Sequence, residues 1–563
     1  MKRKLKKIFF YTLIVFTSMI LIIFICEKWV WRLSPPEVKD FSALQRERTT
    51  VSPDFYVLGN SWLRKNSVGL WEMYVEGDPF TMGVINGKLT KELINYQENV
   101  FVNQIQTLIP SKFYQKFLNV FVSFFNRKLD SHIPKEYLTE IYGISFSASH
   151  AYDRYGSPYH RILNYHAAHD MGHALQNLHM VGCTSFSVWN DKSENGNLLI
   201  GRNFDFYFGD DFSKNKIIGF YNPSKGYKFM TVAWGGMAGA VSGMNDQGLT
   251  VTMNAANSDV PLGAKTPITL VTREILQYAA NIEQAYAIAC KRETFVSESL
   301  MIGSAADNKT VIIEKDPKQT GLFETNTNYI VCTNHFQDKI TGSSPKNRKF
   351  MRQSSTVYRY RRVEELLQRK SRLSVTDFAT LLRNRNGMHD KPIGMGNEKA
   401  INQLIAHHSI IFEPAKLRVW VSSNPWQLGK YICYDLSKIF TERRGMKQNR
   451  EVCEKSFNIP EDPFLQSEDY KNFVFYKKTL TDITNYIYFG TGKEPITLDL
   501  QKFEKSNPYY FQTYATLADY YFKKKMYTSA YRYCTLALVC EIPAISERTK
   551  IKNTALACLK KFR

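Results

Sequence analysis

No C-x-x-C pair occurs anywhere in this 563-residue chain. Its nine cysteines stand apart at positions 26, 183, 290, 332, 433, 453, 534, 540 and 558, which gives no support to a zinc ribbon or a thioredoxin-like redox site. All but Cys26 and Cys183 lie mostly in apolar stretches and read as buried, and their pairing cannot be read from sequence. No zinc-finger, helix-turn-helix or RNA-recognition signature appears, so nucleic acid is not an expected partner. Acidic residues are the minority charge, 52 against 74 Lys and Arg, for a net +22. That excess reads as a solvated basic face, with attraction to an anionic membrane or acidic substrates as the alternative. Hydrophobic residues make up 44 % of the chain and aromatics 14 %, so disorder is not the default. The length implies two or three domains.

Charge is also absent from Ile8 to Cys26, a run of 19 residues behind the basic cluster Lys2, Arg3, Lys4, Lys6 and Lys7. At 1.5 Å per residue such a run spans a hydrocarbon core of about 30 Å. No small-x-small cleavage site follows, and Trp29 and Trp31 suit a membrane interface. The expectation is an uncleaved signal anchor, inner-membrane anchored, with the catalytic part extracytoplasmic (periplasmic or cell surface). A cleaved signal peptide is the alternative. The bulky Ile25 argues against a lipid-modified Cys26.

Period changes along the chain set the expected architecture. Residues 32–69 read as a linker opened by Ser34-Pro35-Pro36, and residues 70–182 as a mainly helical pro-segment. Residues 183–440 alternate strand groups with helical groups. That pattern fits an α+β fold, an αββα sandwich with helices covering two stacked antiparallel sheets. Residues 460–563 read as helical, with a tetratricopeptide-like helix pair over Tyr509 to Leu538 and a third helix over Ser546 to Lys561. This region is read as a cap on the catalytic part, with a protein-docking module as the alternative.

Cys183 carries the chemistry. It follows Gly182 and opens the alternating run Thr184 to Trp189; Asn195-Gly196 then turns the chain back through Leu198 to Arg202. A thiol needs a base to become a nucleophile. Cutting Gly182–Cys183 would supply one, an α-amino group of pKa about 8 beside the thiol. That is the logic of an N-terminal nucleophile hydrolase.

Five motifs then occur in order: GCTSF at Cys183, GRNFD (Gly201 to Asp205), GMNDQGLTVTMNAAN (Gly243 to Asn257), CTNHF (Cys332 to Phe336) and SSTVYRYRRV (Ser354 to Val363). Upstream, Gly77-Asp78-Pro79-Phe80 with Gly83 and Gly87 adds a sixth. The set resembles the acyl-coenzyme A:isopenicillin N acyltransferase family of autoproteolytic acyltransferases and hydrolases. More distantly it is similar to choloylglycine hydrolases and penicillin V acylases. The resemblance implies the N-terminal nucleophile fold, with Cys183 as nucleophile, Arg202 and Asp205 beside it, and Asn254, Asn334 and Arg359 in the site. Arg361 and Arg362 leave the register of Arg359 open.

On residue type alone, Arg202 can lower the thiol pKa and Asp205 can hold the new α-amino group. Their spacing of three puts them on opposite faces of an ideal strand, so a bend is needed. Asn254 and Asn334 are oxyanion-donor candidates against a plainer reading as strand-end turn formers. His166, His169 and His173 share a helix face with Asp170; packing is preferred there over zinc, and no metal or cofactor is expected. His335 can line the site, whereas His407-His408 are expected to lie outside it. The leading functional reading is a self-cleaving hydrolase or acyltransferase acting on a small acyl amide or thioester. The alternatives are a lipid amide hydrolase, as in the related acid ceramidases, and a catalytically silent membrane-anchored scaffold.

Overall fold

The computed structural model describes residues 33–109, 111–174, 182–257, 263–491 and 493–561. The expected transmembrane helix lies outside them. No helix among the described residues is long and apolar enough to cross a membrane.

Two sheets stack face to face. The larger has eleven strands in the order β1-β2-β3-β4-β7-β8-β9-β10-β11-β12-β13, and the smaller six in the order β14-β5-β6-β15-β16-β17. In sequence these are β1 (Thr49–Ser52), β2 (Phe55–Leu58), β3 (Ser61–Lys65), β4 (Trp71–Gly77), β5 (Thr184–Asn190), β6 (Gly196–Phe204), β7 (Ile217–Pro223), β8 (Phe229–Ala233), β9 (Ser242–Asn245), β10 (Leu249–Ala255), β11 (Glu298–Ser304), β12 (Lys309–Lys315), β13 (Thr320–Phe323), β14 (Tyr329–Cys332), β15 (His408–Glu413), β16 (Arg418–Ser422) and β17 (Tyr431–Asp435). Alternate residues of each strand face the partner sheet: Leu198, Ile200, Ile410 and Phe412 meet Trp62, Ile218, Met230 and Met301 in one dry layer.

Helices close both outer faces. Those over Pro79–Leu89, Lys135–Ser145, Pro158–Ala174 and Ile268–Tyr278 lie on the larger sheet. Those over Thr356–Gln368 and Val375–Leu382 lie on the smaller. The result is the αββα sandwich, with two corrections. The sheets are not wholly antiparallel, because β4 and β7 pair in parallel. Residues 49–65, read as linker, form three strands joined by short turns at Pro53-Asp54 and Gly59-Asn60.

The glycines near Gly77-Asp78-Pro79-Phe80 have a packing role. Asp78 caps the first helix through the N–H groups of Phe80 and Thr81. A Cβ on Gly83 would lie 2.0 Å from the Glu140 carbonyl oxygen, so helices 79–89 and 135–145 touch backbone to backbone. Beyond the sandwich, helices over Glu468–Thr484, Thr497–Ser506, Phe511–Lys523, Tyr527–Val539 and Ile545–Leu559 form the C-terminal region.

Candidate active site

β5 and β6 pair with Arg202 opposite Ser185 and Asn203 opposite Thr184. Cys183 sits one residue before β5, on the same side of the pleat as Ser185, and the Arg202 guanidinium reaches back to it. Arg202 Nη2 donates to Cys183 Sγ at 3.7 Å. The same guanidinium donates to the Val241 carbonyl at 3.2 Å, to Ser242 Oγ at 2.6 Å and to the Met253 carbonyl. It is thus fixed by β6, β9 and β10 together. Burial pushes the Cys183 thiol above its ordinary range, and the neighbouring Arg202 only partly offsets this. The expected lowering by Arg202 is present, but desolvation outweighs it.

Asp205 lies past the end of β6, where the chain leaves the ladder, which supplies the required bend. Its carbonyl accepts from Gly182 N at 3.1 Å. Its carboxylate is fully buried, with Oδ2 3.5 Å from Gln403 Nε2 and no hydrogen-bond partner on Oδ1. Burial pushes this carboxyl up to about 7, against the pull of Arg359 and Arg202. A second buried carboxylate, Glu298 at the start of β11, acts on both Cys183 and Arg202 through its charge.

Arg359 occupies the first turn of the helix over Thr356–Gln368 and points at the Gly-Cys junction. Its Nη1 donates to the Gly182 carbonyl at 2.8 Å, to the Cys183 carbonyl at 2.6 Å and to Thr184 Oγ1 at 3.0 Å. Its Nη2 donates to Asn334 Oδ1 at 2.7 Å. Arg359 is therefore the arginine of its motif that reaches Cys183; Arg362 instead bonds Asn384 and pairs with Asp390.

The two asparagines differ. Asn254 lies within β10, paired with Ser299, so it is no strand-end turn former. Its Nδ2 donates to the Cys332 and Thr333 carbonyls at 3.0 and 3.2 Å, which uses both amide hydrogens. Its side chain ties β10 to β14 rather than facing the nucleophile as a free donor. Asn334 donates from Nδ2 only to the Ala255 carbonyl, at 2.8 Å, and keeps a second amide hydrogen.

Gln403 is the residue that sequence reasoning missed. Its Nε2 donates to the Gly182 carbonyl at 2.7 Å, opposite Arg359. A Cβ on Gly182 would lie 2.5 Å from that same nitrogen, so a larger residue at the junction displaces the Gln403 amide. The stretch Asn402-Gln403-Leu404 matches no motif. Its one signal is structural: Leu404 holds a left-handed φ of 55°, a conformation that costs a non-glycine residue about 1–3 kcal/mol and clusters at working sites.

Residues 189–425 match the family model described as Acyl-coenzyme A:6-aminopenicillanic acid acyl-transferase. This segment belongs to that acyl-transferase family. It begins just after Cys183 and takes in Arg202, Asp205, Asn254, Asn334, Arg359 and Gln403. An uncharacterised protein of Archaeoglobus fulgidus is 24 % identical over 237 residues, 38 % of this chain and 38 % of that protein. Among solved structures, a Caenorhabditis elegans N-acylethanolamine-hydrolyzing acid amidase ortholog is similar at a TM-score of 0.30 and 15 % identity, covering 41 % of this chain and 93 % of that one. A mutant conjugated bile acid hydrolase from Clostridium perfringens is similar at 0.32 and 13 %, covering 46 % and 93 %.

His335 and His408 of this segment are buried in hydrogen-bonded packing. His335 is buried between Thr333 and Thr356, and desolvation holds its pKa down to about 4. His408, expected outside the site, supports it: its Nε2 lies 2.9 Å from Ser242 Oγ, the group that holds Arg202. Upstream of the segment, His166 bonds the Ile162 carbonyl and the Ala238 N–H, in the packing role expected of it. The side chains of His169 and His173 lie outside the described residues.

Proposed function

We propose that this chain is an N-terminal cysteine amidohydrolase or acyltransferase that cleaves its own Gly182–Cys183 bond and then turns over a small acyl amide or thioester. One observation carries the reading. The Gly182 carbonyl oxygen, one residue before the candidate nucleophile, is held by two side-chain donors, Arg359 at 2.8 Å and Gln403 at 2.7 Å. Preorganised donors on a carbonyl that no regular element uses are the arrangement that stabilises an oxyanion.

The steps follow from the contacts. Cys183 Sγ adds to the Gly182 carbonyl carbon as its proton passes to Asp205, whose Oδ1 has no other hydrogen-bond partner. The negative charge collects on the oxygen between Arg359 and Gln403. Collapse breaks the C–N bond, the Cys183 nitrogen takes a proton, and a thioester joins Gly182 to Sγ. Water then hydrolyses the thioester, giving the Gly182 carboxylate, a free thiol and a free α-amino group. When Gly182 leaves, the carbonyl of an acyl substrate takes its place between the same donors. The α-amino group becomes the base of turnover, Arg202 stabilises the thiolate, and the second amide hydrogen of Asn334 is a further oxyanion donor. Asn254 positions these groups by fixing β14.

Residues up to 182 form the first chain of the mature enzyme and residues from 183 the second. The charge-free run Ile8 to Cys26 anchors the first chain in the inner membrane, with the enzyme on the outer side. The test of the chemistry is Cys183→Ala. It yields only the full-length chain and no covalent label from an acyl-amide or acyl-thioester probe, as read by intact mass. Efficient cutting of that variant at 182/183 would assign the cleavage to another protease.

A further inference from the structure

The helix over Lys112–Phe125 carries an aromatic stripe toward solvent. Phe113 is 72 % exposed, and Tyr114, Phe117, Phe121 and Phe124 are between 44 and 52 % exposed. The phenylalanines recur at steps of four, four and three, so they lie along one face of the helix. The opposite flank is polar: Lys112, Lys116, Asn119 and Ser123. Water-facing aromatics in such a row are uncommon on a monomeric surface.

Among the described residues, the C-terminal end of the helix is tied to the body by several contacts. Phe125 is buried edge-on to Phe295, its carbonyl accepts from Ala264 N at 3.2 Å, and Asn126 Nδ2 donates to Asn164 Oδ1 at 2.9 Å. One turn back on the helix that bears Asn164, His160 Nε2 lies 2.7 Å from the Leu33 carbonyl, where the described chain begins. The two attachments are four residues apart, about 6 Å along that helix. The described chain therefore begins near the C-terminal end of the striped helix. The residues before Leu33 include Trp29 and Trp31, behind the charge-free run Ile8 to Cys26.

We propose that the stripe Phe113, Phe117, Phe121 and Phe124 lies in the interface of a lipid bilayer, as a second contact beside the N-terminal anchor. The proposal rests on the reading of residues 8–26 as that anchor. Lys112, Lys116, Arg127 and Lys128 flank the stripe and complement anionic headgroups. The same four cations disfavour a second copy of the chain as the occupant, since each would face its like.

The full-length chain is prepared with p-benzoylphenylalanine at position 117, 16 or 474, one at a time. Each is reconstituted into vesicles of phosphatidylcholine and phosphatidylserine, irradiated and digested. The expected result is on the order of tenfold more lipid adduct at 117 than at 474, a position 51 % exposed on the C-terminal helices. Adducts from 117 to residues 8–26 or to a second copy, or no lipid adduct there, overturn the proposal. Lipid adducts at 16 with none at 117 leave the anchor standing and remove this surface. Lipid adducts at 117 with none at 16 do the reverse.

Discussion

At the residue scale, the site is a set of buried charges held around one carbonyl. Arg202 and Arg359 face Asp205 and Glu298, and all four are fully or almost fully buried. Gln403 separates the two candidate oxyanion donors by role, because it touches only the Gly182 carbonyl and the Asp205 carboxylate. Gln403→Ala is expected to slow self-cleavage about 10²- to 10³-fold, the usual loss for one oxyanion donor. Quenched time courses of the freshly refolded precursor, followed by gel, measure it; an unchanged rate would remove Gln403 from the site. The pH dependence follows from Asp205. Burial raises its carboxyl to about 7, so the folded precursor keeps a proton that the unfolded chain has released. The stability this contributes is complete below pH of about 4 and is lost as pH rises through about 7. The ionisation that costs stability also supplies the base. Self-cleavage is therefore expected to accelerate as pH rises through about 7, and Asp205→Asn to abolish that rise. A flat profile in the unsubstituted precursor would exclude Asp205 as the base.

At the scale of elements, the segment before Cys183 is an integral part of the sandwich. β4 and β7 pair over seven residues across the proposed cleavage site, and the helices over 79–89 and 135–145 cover the larger sheet. Gly83→Ala tests that packing. With the Glu140 carbonyl oxygen 2.0 Å from the new methyl, the helices must separate, at a cost of about 1–3 kcal/mol. Urea unfolding of the purified protein measures the loss, and an unchanged midpoint would mean that the contact relaxes freely. The same elements show what is legible in a sequence. β5, β10, β12 and β16 stand out because each alternates or runs apolar between turn residues. The helix pair over 511–539 stands out because its aromatic and small residues repeat at helical spacing. β1 to β3 do not: β1 is a short, mostly polar edge strand, Thr-Thr-Val-Ser, with no buried residue to mark a core face. The parallel β4–β7 pair joins segments with five α-helices and two strands between them among the described residues, and nothing local marks such a pairing. Cys183, Arg202, Asp205 and Arg359 were legible through motif order, and all four converge on one junction. Gln403 was not, because a glutamine in an irregular loop becomes a donor only when folding brings it to Gly182.

At the scale of the whole molecule, the C-terminal helices pack against the sandwich. Their core shares Leu404, Ala406, Trp426 and Leu428 with the sandwich, and Trp426 packs edge-on against Phe473. Lys477 pairs with Asp210 at 2.7 Å, a few residues beyond Asp205, and lies 5.6 Å from the Tyr207 ring. The helix pair over 511–539 thus belongs to a five-helix unit among the described residues that packs on the sandwich. Three layers of organisation then meet at one bond: the segment before it shares the larger sheet, the smaller sheet presents Cys183 and Arg202, and the helix over Thr356–Gln368 and an irregular loop deliver Arg359 and Gln403. The central claim is that this bond is cut by the chain itself. Intact-mass analysis of the purified protein, eluted as one native species and then denatured, tests it most directly. The account predicts two polypeptides, the second beginning at Cys183 with a free α-amino group, which co-elute until denaturant separates them. A single unprocessed polypeptide, stable on incubation at pH of about 8 and above the Asp205 transition, would contradict it.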